Sequence, residues 1–378
     1  MKIAYIGQKG IPAKAGGVER HVEEVATRMA KNGHEVFVYV RNNYTDKKLH
    51  EYKGIKLIHL PSIPTKNLDA ISNTFFATIH ALFQNYDVIH YHSIGPTSLS
   101  VIPKILKIKA VIISTFHCQD YLHKKWGAFA RTYLYFSEKL TCTIPDETIT
   151  ISQILSDYAK DKYGTSPIAI PSGAEIRFNP SDDTLNFWNL QKNEYILLAS
   201  RLIRHKGVHY LINAFNHLCE KNLNQGKKLV IAGDGSFTDD YISDLKDLAK
   251  DNKNIIFTGT VGGEKLEQLF SHCYLFVQPS EAEGMSLALL EAMGYGNAIL
   301  ISDIIENTDV LKGTGFIFQN KNEKDLEDKL LYILNNPELA KKAGKNSRAL
   351  AQDIYDWDEI VLRTEAVYKT VQDKKGKK

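Results

Sequence analysis

Residues 274–296, YLFVQPSEAEGMSLALLEAMGYG, hold two glutamates, Glu283 and Glu291, in a stretch that reads as strand, loop and helix. Residues 274–278 form the short apolar run of a buried parallel strand, Pro279 stops it, and Gly284 and Gly294 bound a helix of about three turns. Met285, Leu287, Ala288, Leu289, Leu290, Ala292 and Met293 make that helix apolar on every side, which marks it as buried. A carboxylate there is costly unless a cation or ligand hydroxyls partner it, so Glu291 is either such a contact or a charge on one edge that reaches water. Glu283 precedes Gly284 at the expected helix start, where free N–H groups and the helix dipole favour negative charge. It is there a cap or a ligand contact.

Two cations and a histidine add to this set. Arg201 and Lys206 sit in R-L-I-R-H-K-G, directly after the expected strand 195–200. Cations at that spacing beside a glycine suit a diphosphate, with Arg bidentate and Lys a point charge, or else form a solvated basic turn. His117 follows the apolar run VIISTF at a strand's carboxyl end, where open α/β sheets bind ligands, although a structural histidine fits there equally. Residues 7–17 form a glycine-rich loop before a helix, and Gly16-Gly17 either admit a ligand close to the backbone or mark a flexible surface loop.

E-G-M-S-L-A-L-L-E-A-M resembles the E-x7-E signature of retaining glycosyltransferases of the GT-B fold, family four, whose pattern is roughly E-G-F-G-L-x-x-L-E-A-M. Met285-Ser286 replace the aromatic and the glycine. The resemblance implies that Glu283 and the backbone at Gly284, Met285, Ser286 and Leu287 hold the donor sugar, and that Glu291 holds the nucleotide ribose. It implies that Arg201 and Lys206, matching R-x4-K-G, stabilise the leaving nucleoside diphosphate. His117 matches the active-site histidine, with the usual following acid displaced to Asp120. Gly16 and Gly17 match the family's opening loop, and G-I-P-A-K-A-G-G-V-E resembles the subgroup that adds rhamnose or related sugars to lipid-linked saccharides. Ser172 stands where the family usually has asparagine. The implied activity is metal-independent and cofactor-free: a sugar passes from a nucleotide-diphosphate donor to a hydroxyl of a saccharide or lipid-linked acceptor in cell-surface glycan synthesis. A nucleotide-sugar epimerase of the same fold and a non-catalytic binding subunit are the alternatives.

The elements that must position these residues follow a regular rhythm. A strand at 2–6, the loop, an amphipathic helix at 21–31 closed by Asn32-Gly33, and a strand at 34–40 make a βαβ unit. The glycine spacing is wrong for G-x-G-x-x-G, and Arg41-Asn42-Asn43 replace the acid expected after the second strand, which argues against a dehydrogenase. Strands recur at 55–60, 88–91, 110–115 and 148–151, then after a Pro/Gly-bearing connector at 168–180 a second series runs through 195–199, 228–232, 255–258, 274–278 and 298–301. Gly233-Asp234-Gly235 reads as a turn. The fold class is α/β. By the resemblance it is GT-B, with two Rossmann-like doubly wound domains facing across a cleft, over residues 1–175 on the acceptor side and 176–356 on the nucleotide-sugar side. Residues 357–378 form a helix crossing back to the first domain and a basic tail. Asp356 or Asp358 caps that helix instead of holding a metal as a D-x-D pair.

Composition sets the remaining bounds. The chain has 378 residues, 43% of them hydrophobic and 24% charged, enough for two ordinary globular domains and incompatible with disorder. A net charge of +3 does not suggest a nucleic-acid partner. Cys118, Cys142, Cys219 and Cys273 are far apart, which suits a reducing cytoplasm better than zinc or disulfides. The opening MKIAYIG lacks the apolar core of a signal peptide, and no apolar run is long enough to span a bilayer. Between Pro103 and Lys139, however, Lys104, Lys107, Lys109, Lys124, Lys125, Arg131 and Lys139 face only Asp120 and Glu138, a local +5 in a chain of +3. Trp126, Phe129, Tyr133, Leu134 and Phe136 are interleaved. This composition points to attachment at an anionic membrane surface, peripheral at its inner face, or else to core aromatics beside a solvated lysine face.

Overall fold

The computed structural model describes residues 1–14, 16–65, 68–122, 126–235 and 239–376. They divide into a first unit, Met1–Ser172 with Trp357–Lys378, and a second, Gly173–Asp356. The first unit contains β1 (Lys2–Ile6), β2 (Glu35–Arg41), β3 (Glu51–Tyr52), β4 (Ile55–Leu60), β5 (Val88–His92), β6 (Val111–Phe116), β7 (Glu147–Thr150) and β8 (Ile168–Ala169). They form one sheet in the order β3-β4-β2-β1-β5-β6-β7-β8, parallel except for the short edge β3. Every residue of β5 and β6 is buried, which is why these strands read as continuous runs without polar alternation.

The second unit contains β9 (Tyr195–Ala199), β10 (Lys228–Ala232), β11 (Ile255–Gly259), β12 (Leu275–Gln278), β13 (Ala298–Ser302) and β14 (Phe316–Phe318). Their order is β11-β10-β9-β12-β13-β14, all parallel. Each sheet has helices over both faces. Alternate residues of β9 show this: Ile196 and Leu198 pack with Phe215 and Val277 in one core, Tyr195 and Leu197 with Phe276, Leu290 and Met293 in the other. In both sheets the chain winds outward in one direction and then returns to wind in the other. The reversal lies between β1 and β5 in the first and between β9 and β12 in the second. Loops leaving the carboxyl ends of such a strand pair diverge and open a crevice, where doubly wound sheets bind their ligands.

The helix Gly17–Lys31 begins four residues before the expected start, because Val18 already packs against the core. Strands β3, β8 and β14 were not expected; at two or three residues they are too short to carry a period. The last helix, Trp357–Gly376, buries Trp357, Ile360, Val361, Tyr368 and Val371 in the core of the first unit. Asp358 lies inside its first turn and pairs with Arg28 at 2.8 Å, so of the two aspartates only Asp356 precedes the helix. The basic tail is helical through Gly376. Lys375 Nζ donates to the Ala110 carbonyl at 2.7 Å and to Asp146 at 3.1 Å. Lys124, Lys125, Lys377 and Lys378 lie outside the described residues. No helix among the described residues is long and apolar enough to cross a membrane.

Candidate active site

In the second unit the reversal sets two loops side by side, residues 200–207 after β9 and residues 279–286 after β12. They are joined directly, since the Glu281 N–H donates to the His205 carbonyl at 2.7 Å. Gly207 makes the closer contact. Its φ is +68°, and a Cβ there would stand 1.9 Å from the Pro279 carbonyl oxygen, so left-handed backbone and lack of space both require glycine. A buried network supports the second loop from beneath. Gln278 donates to Asn307 at 2.8 Å, Asn307 to Ser302 at 3.2 Å, and Ser302 to the Ser280 carbonyl at 2.6 Å.

These constraints bring Lys206 to Glu283. Lys206 Nζ donates to both carboxylate oxygens, at 2.6 and 2.7 Å, with the lysine side chain 14% exposed and the glutamate 7%. The expectation that Glu283 sits at the helix start is therefore corrected. The helix is Leu287–Tyr295, and its cap is Ser286, whose hydroxyl accepts the Leu289 N–H at 3.3 Å and donates to Gln278 at 2.6 Å. The capping hydroxyl explains the later start: residues 283–285 are loop, with Gly284 and Met285 half-buried and Met285 packed on the core.

Arg201 is exposed on the neighbouring loop, and its guanidinium makes no hydrogen bond or ion pair among the described residues. Its position is set by Leu202, which is buried and donates its N–H to the Asp234 carbonyl at 2.9 Å. The turn at Gly233-Asp234 thus supports the cationic loop. Because Lys206 and Glu283 cancel, Arg201 supplies the unbalanced positive charge. Between them His205 is kept neutral: burial lowers its pKa, and the charges of Lys206 and Arg201 outweigh the opposing effect of Glu283 and Glu281. Glu281 is drawn off to the side. Burial works to raise its carboxyl, but the Tyr210 hydroxyl at 2.9 Å and the Lys321 ammonium at 3.2 Å hold it below the usual carboxylate range.

Glu291 is in the middle of Leu287–Tyr295, and that helix is not buried on all sides as expected. Leu287, Ala288, Glu291 and Tyr295 form a half-buried stripe, while Leu289, Leu290, Ala292 and Met293 face the core. The stripe follows from the spacing of three to four residues that returns a helix to the same face. Glu291 is felt by Tyr295, whose hydroxyl is pushed up first by burial and then by Glu267 and Glu291.

In the first unit the glycine-rich loop is stapled to the helix it precedes. Glu19 accepts the Lys9 N–H at 3.1 Å and Glu23 the Ala13 N–H at 2.6 Å. Gly16, at φ +107°, leaves room for the Glu19 carboxylate, which would lie 2.0 Å from a Cβ. The start of Gly17–Lys31 is thus met by an acid of its own first turn. His117 follows β6 and is 6% exposed, with Nε2 3.0 Å from His92 Nδ1 and its ring edge-on to His21 at 5.1 Å. Burial, then the charges of His21 and His90, hold its pKa well below the usual histidine range, and burial takes His21 down to about 4. Sequence reasoning missed His21 and His92. The available signal was H-Y-H at 90–92, ending the strand beside the one that leads to His117.

The comparisons with known proteins follow the same division. A family profile described as Glycosyltransferase Family 4 matches residues 15–177, and one described as Glycosyl transferases group 1 matches residues 182–350. The chain is a GT-B glycosyltransferase of the group 1, family-four-like kind. Similar proteins include an uncharacterized glycosyltransferase of Methanocaldococcus jannaschii, 25% identical with the whole of both chains covered. The alpha-monoglucosyldiacylglycerol synthase of Streptococcus pneumoniae is 25% identical over 76% of this chain and 68% of its own. Among solved structures, HepE of Anabaena in complex with UDP covers 98% of this chain and 100% of its own at TM-score 0.78 and 20% identity. Sucrose-phosphate synthase of Thermosynechococcus elongatus covers 98% of each at TM-score 0.83 and 21% identity.

The glycosyltransferase also carries the basic, aromatic segment. On the helix Ala128–Thr143, Phe129 is 89% exposed and Phe136 65%, together with exposed Arg131 and Lys139. Leu134 is buried and Tyr133 half-buried, so the core explanation holds for those two and not for the phenylalanines. Lys104 pairs with Asp146 at 2.6 Å, and Glu138 is fully buried among Tyr158, Tyr163 and Lys162.

Proposed function

We propose that the chain is a retaining, metal-independent transferase that moves a hexose or deoxyhexose from a nucleoside-diphosphate sugar to a hydroxyl of a saccharide or lipid-linked saccharide, in cell-surface glycan synthesis. The observation that carries this reading is the exposed Arg201 beside the Lys206–Glu283 pair, at the strand reversal of the second unit. Two preorganised cations there meet the charge that develops on a departing diphosphate. Glu283 positions the Lys206 ammonium and keeps an oxygen edge toward donor hydroxyls, while the backbone from Gly284 to Leu287 lines the sugar. Glu291 binds the ribose from its half-buried stripe. In the first unit His117 contacts the sugar, and the loop ending in Gly16-Gly17 takes hydroxyl groups in preference to anions, because Glu19 already supplies negative charge at the helix start.

In the transfer step the acceptor oxygen bonds to the anomeric carbon as the carbon–oxygen bond to the diphosphate breaks. The hydroxyl proton passes to the departing phosphate on the same face, so configuration is retained and no covalent enzyme intermediate forms. The alpha-monoglucosyldiacylglycerol synthase similarity and the exposed Phe129 and Phe136 among basic residues support an acceptor met at an anionic membrane surface. Rhamnose or a related sugar as the transferred group rests on the resemblance of the segment G-I-P-A-K-A-G-G-V-E alone. A thermal-shift screen over UDP-, GDP- and dTDP-sugars, followed by product analysis with and without acceptor, tests the reading. One donor class should raise the unfolding temperature and be consumed productively only with acceptor. Conversion to an isomeric nucleotide sugar without acceptor would make it an epimerase, and stabilisation by no nucleotide sugar would remove the donor site.

A further inference from the structure

We infer that His21, His92 and His117 form a binding site for a transition-metal dication of the zinc class. One ring nitrogen from each lies within 4.8 Å of the other two, and all three residues are buried. His92 Nδ1 and His117 Nε2 are already 3.0 Å apart. Tetrahedral zinc with bonds of about 2.0–2.1 Å to nitrogen holds its ligand atoms roughly 3.3 Å from one another, so only the His21 side must draw in, by a rotation of that ring. The three donors come from the helix Gly17–Lys31, the end of β5 and the residue after β6, so the sheet and its covering helix hold them in place without a metal.

The hydrogen bonds around the cluster separate ligands from neighbours. His90 stacks on His92 with ring centres 4.3 Å apart, but both its nitrogens are committed, to Tyr368 at 2.6 Å and Thr115 at 2.7 Å. Among the described residues His21 has only Nδ1 engaged, by the Ser172 hydroxyl at 3.0 Å, which leaves Nε2 available. Such an outer hydrogen bond is what metal-binding histidines generally carry, since it fixes the tautomer and the ring. Ligation of His92 through Nδ1 leaves its Nε2, buried and without a hydrogen-bond partner among the described residues, to carry the ring proton. To ligate, whichever of His92 and His117 now donates to the other shifts its proton to its outer nitrogen, so both inner lone pairs face the metal and no net proton is released. Three imidazoles without a carboxylate suit zinc, copper, nickel or cobalt, and not magnesium, calcium or manganese.

This inference does not depend on the proposed transfer reaction. If His117 does contact the sugar, occupancy is inhibitory, because a ligated ring cannot also turn to a hydroxyl. The test uses the full chain without a histidine tag, stripped with chelator and dialysed against zinc chloride. One equivalent of zinc should remain per chain and raise the unfolding temperature, magnesium should do neither, and cobalt should give the visible absorption of a four- or five-coordinate site. His21→Gln and His92→Gln should each weaken zinc binding at least tenfold, whereas His217→Gln, at an exposed position, should leave it unchanged. Loss of zinc on dialysis, or retention undiminished in both cluster variants, would overturn the site. Should His92→Gln fail to fold, His21→Gln and the cobalt spectrum of the unaltered chain decide the matter.

Discussion

Lys206 and Glu283 are 77 residues apart in the chain, and the lysine ammonium lies 2.6 Å from the nearer carboxylate oxygen. Each follows one of the two strands between which the second sheet reverses. The pair therefore links the two loops at a largely buried point and holds one cation in place on the loop that also carries Arg201.

Removing the acid should destabilise the second unit. Glu283→Gln is expected to cost about 1–3 kcal/mol, the range for a partly buried charge left without its partner. The loss stays below the roughly 3–5 kcal/mol of a fully buried pair because Lys206 keeps some exposure. Urea unfolding measures it, and the double variant Lys206→Met/Glu283→Gln should recover part of the loss. An unchanged midpoint in Glu283→Gln would reduce the pair to a surface contact.

Turnover should depend on both cations. Arg201→Ala and Lys206→Ala are each expected to lower kcat by a factor on the order of 10²–10³, the usual effect of removing one group that stabilises developing charge. EDTA should leave the wild-type rate intact. Rates within threefold of wild type would show that the loop is not part of the reaction, and strong inhibition by EDTA would show a metal requirement.

Glu291→Ala should weaken nucleoside diphosphate binding while the fold survives, since the side chain lies on the half-buried stripe and not in the core. Calorimetry with the free nucleotide separates the two effects. Unchanged affinity in a folded variant would rule out the ribose role.

The first unit should lose stability in acid. In a chelator-containing buffer His21 is neutral when folded, with its pKa taken down to about 4 by burial, against about 6.5 unfolded. Between those values the unfolded chain binds the extra proton, so stability falls as pH drops through 6.5 and the loss is complete near 4, about 3 kcal/mol from this residue. His90, His92 and His117 act in the same direction. Unfolding midpoints measured from pH 7 to pH 4 should decline less steeply in His21→Gln, and parallel curves would assign the acid sensitivity elsewhere.

Membrane attachment should require the two outward phenylalanines. Phe129→Ser/Phe136→Ser is expected to abolish co-sedimentation with anionic vesicles, and high salt should release the unaltered chain, as each basic residue near anionic lipid contributes only about 1 kcal/mol. Binding that survives both treatments would place the contact on another surface, and absence of binding to either vesicle type would favour a soluble acceptor.

The order of strands and helices was legible in the sequence because burial on both faces of a parallel sheet writes continuous apolar runs such as VIISTF and YILLA. The same local rules placed His117 and Arg201 directly after strands, and misplaced Glu283 at a helix start. What they could not reach was partnership. That Glu283 is bound by Lys206, that Ser286 and not Glu283 begins the helix, and that His21 and His92 gather at His117 depend on which strands become neighbours in the sheet. Strand order is set by packing between segments distant in the chain, and no spacing within a single segment encodes it. The sequence by itself determined the longer elements and the residue types at their ends, but not β3, β8 and β14, which are too short to carry a period. The tertiary structure decided which charges meet, because it alone sets β12 beside β9 and β6 beside β5.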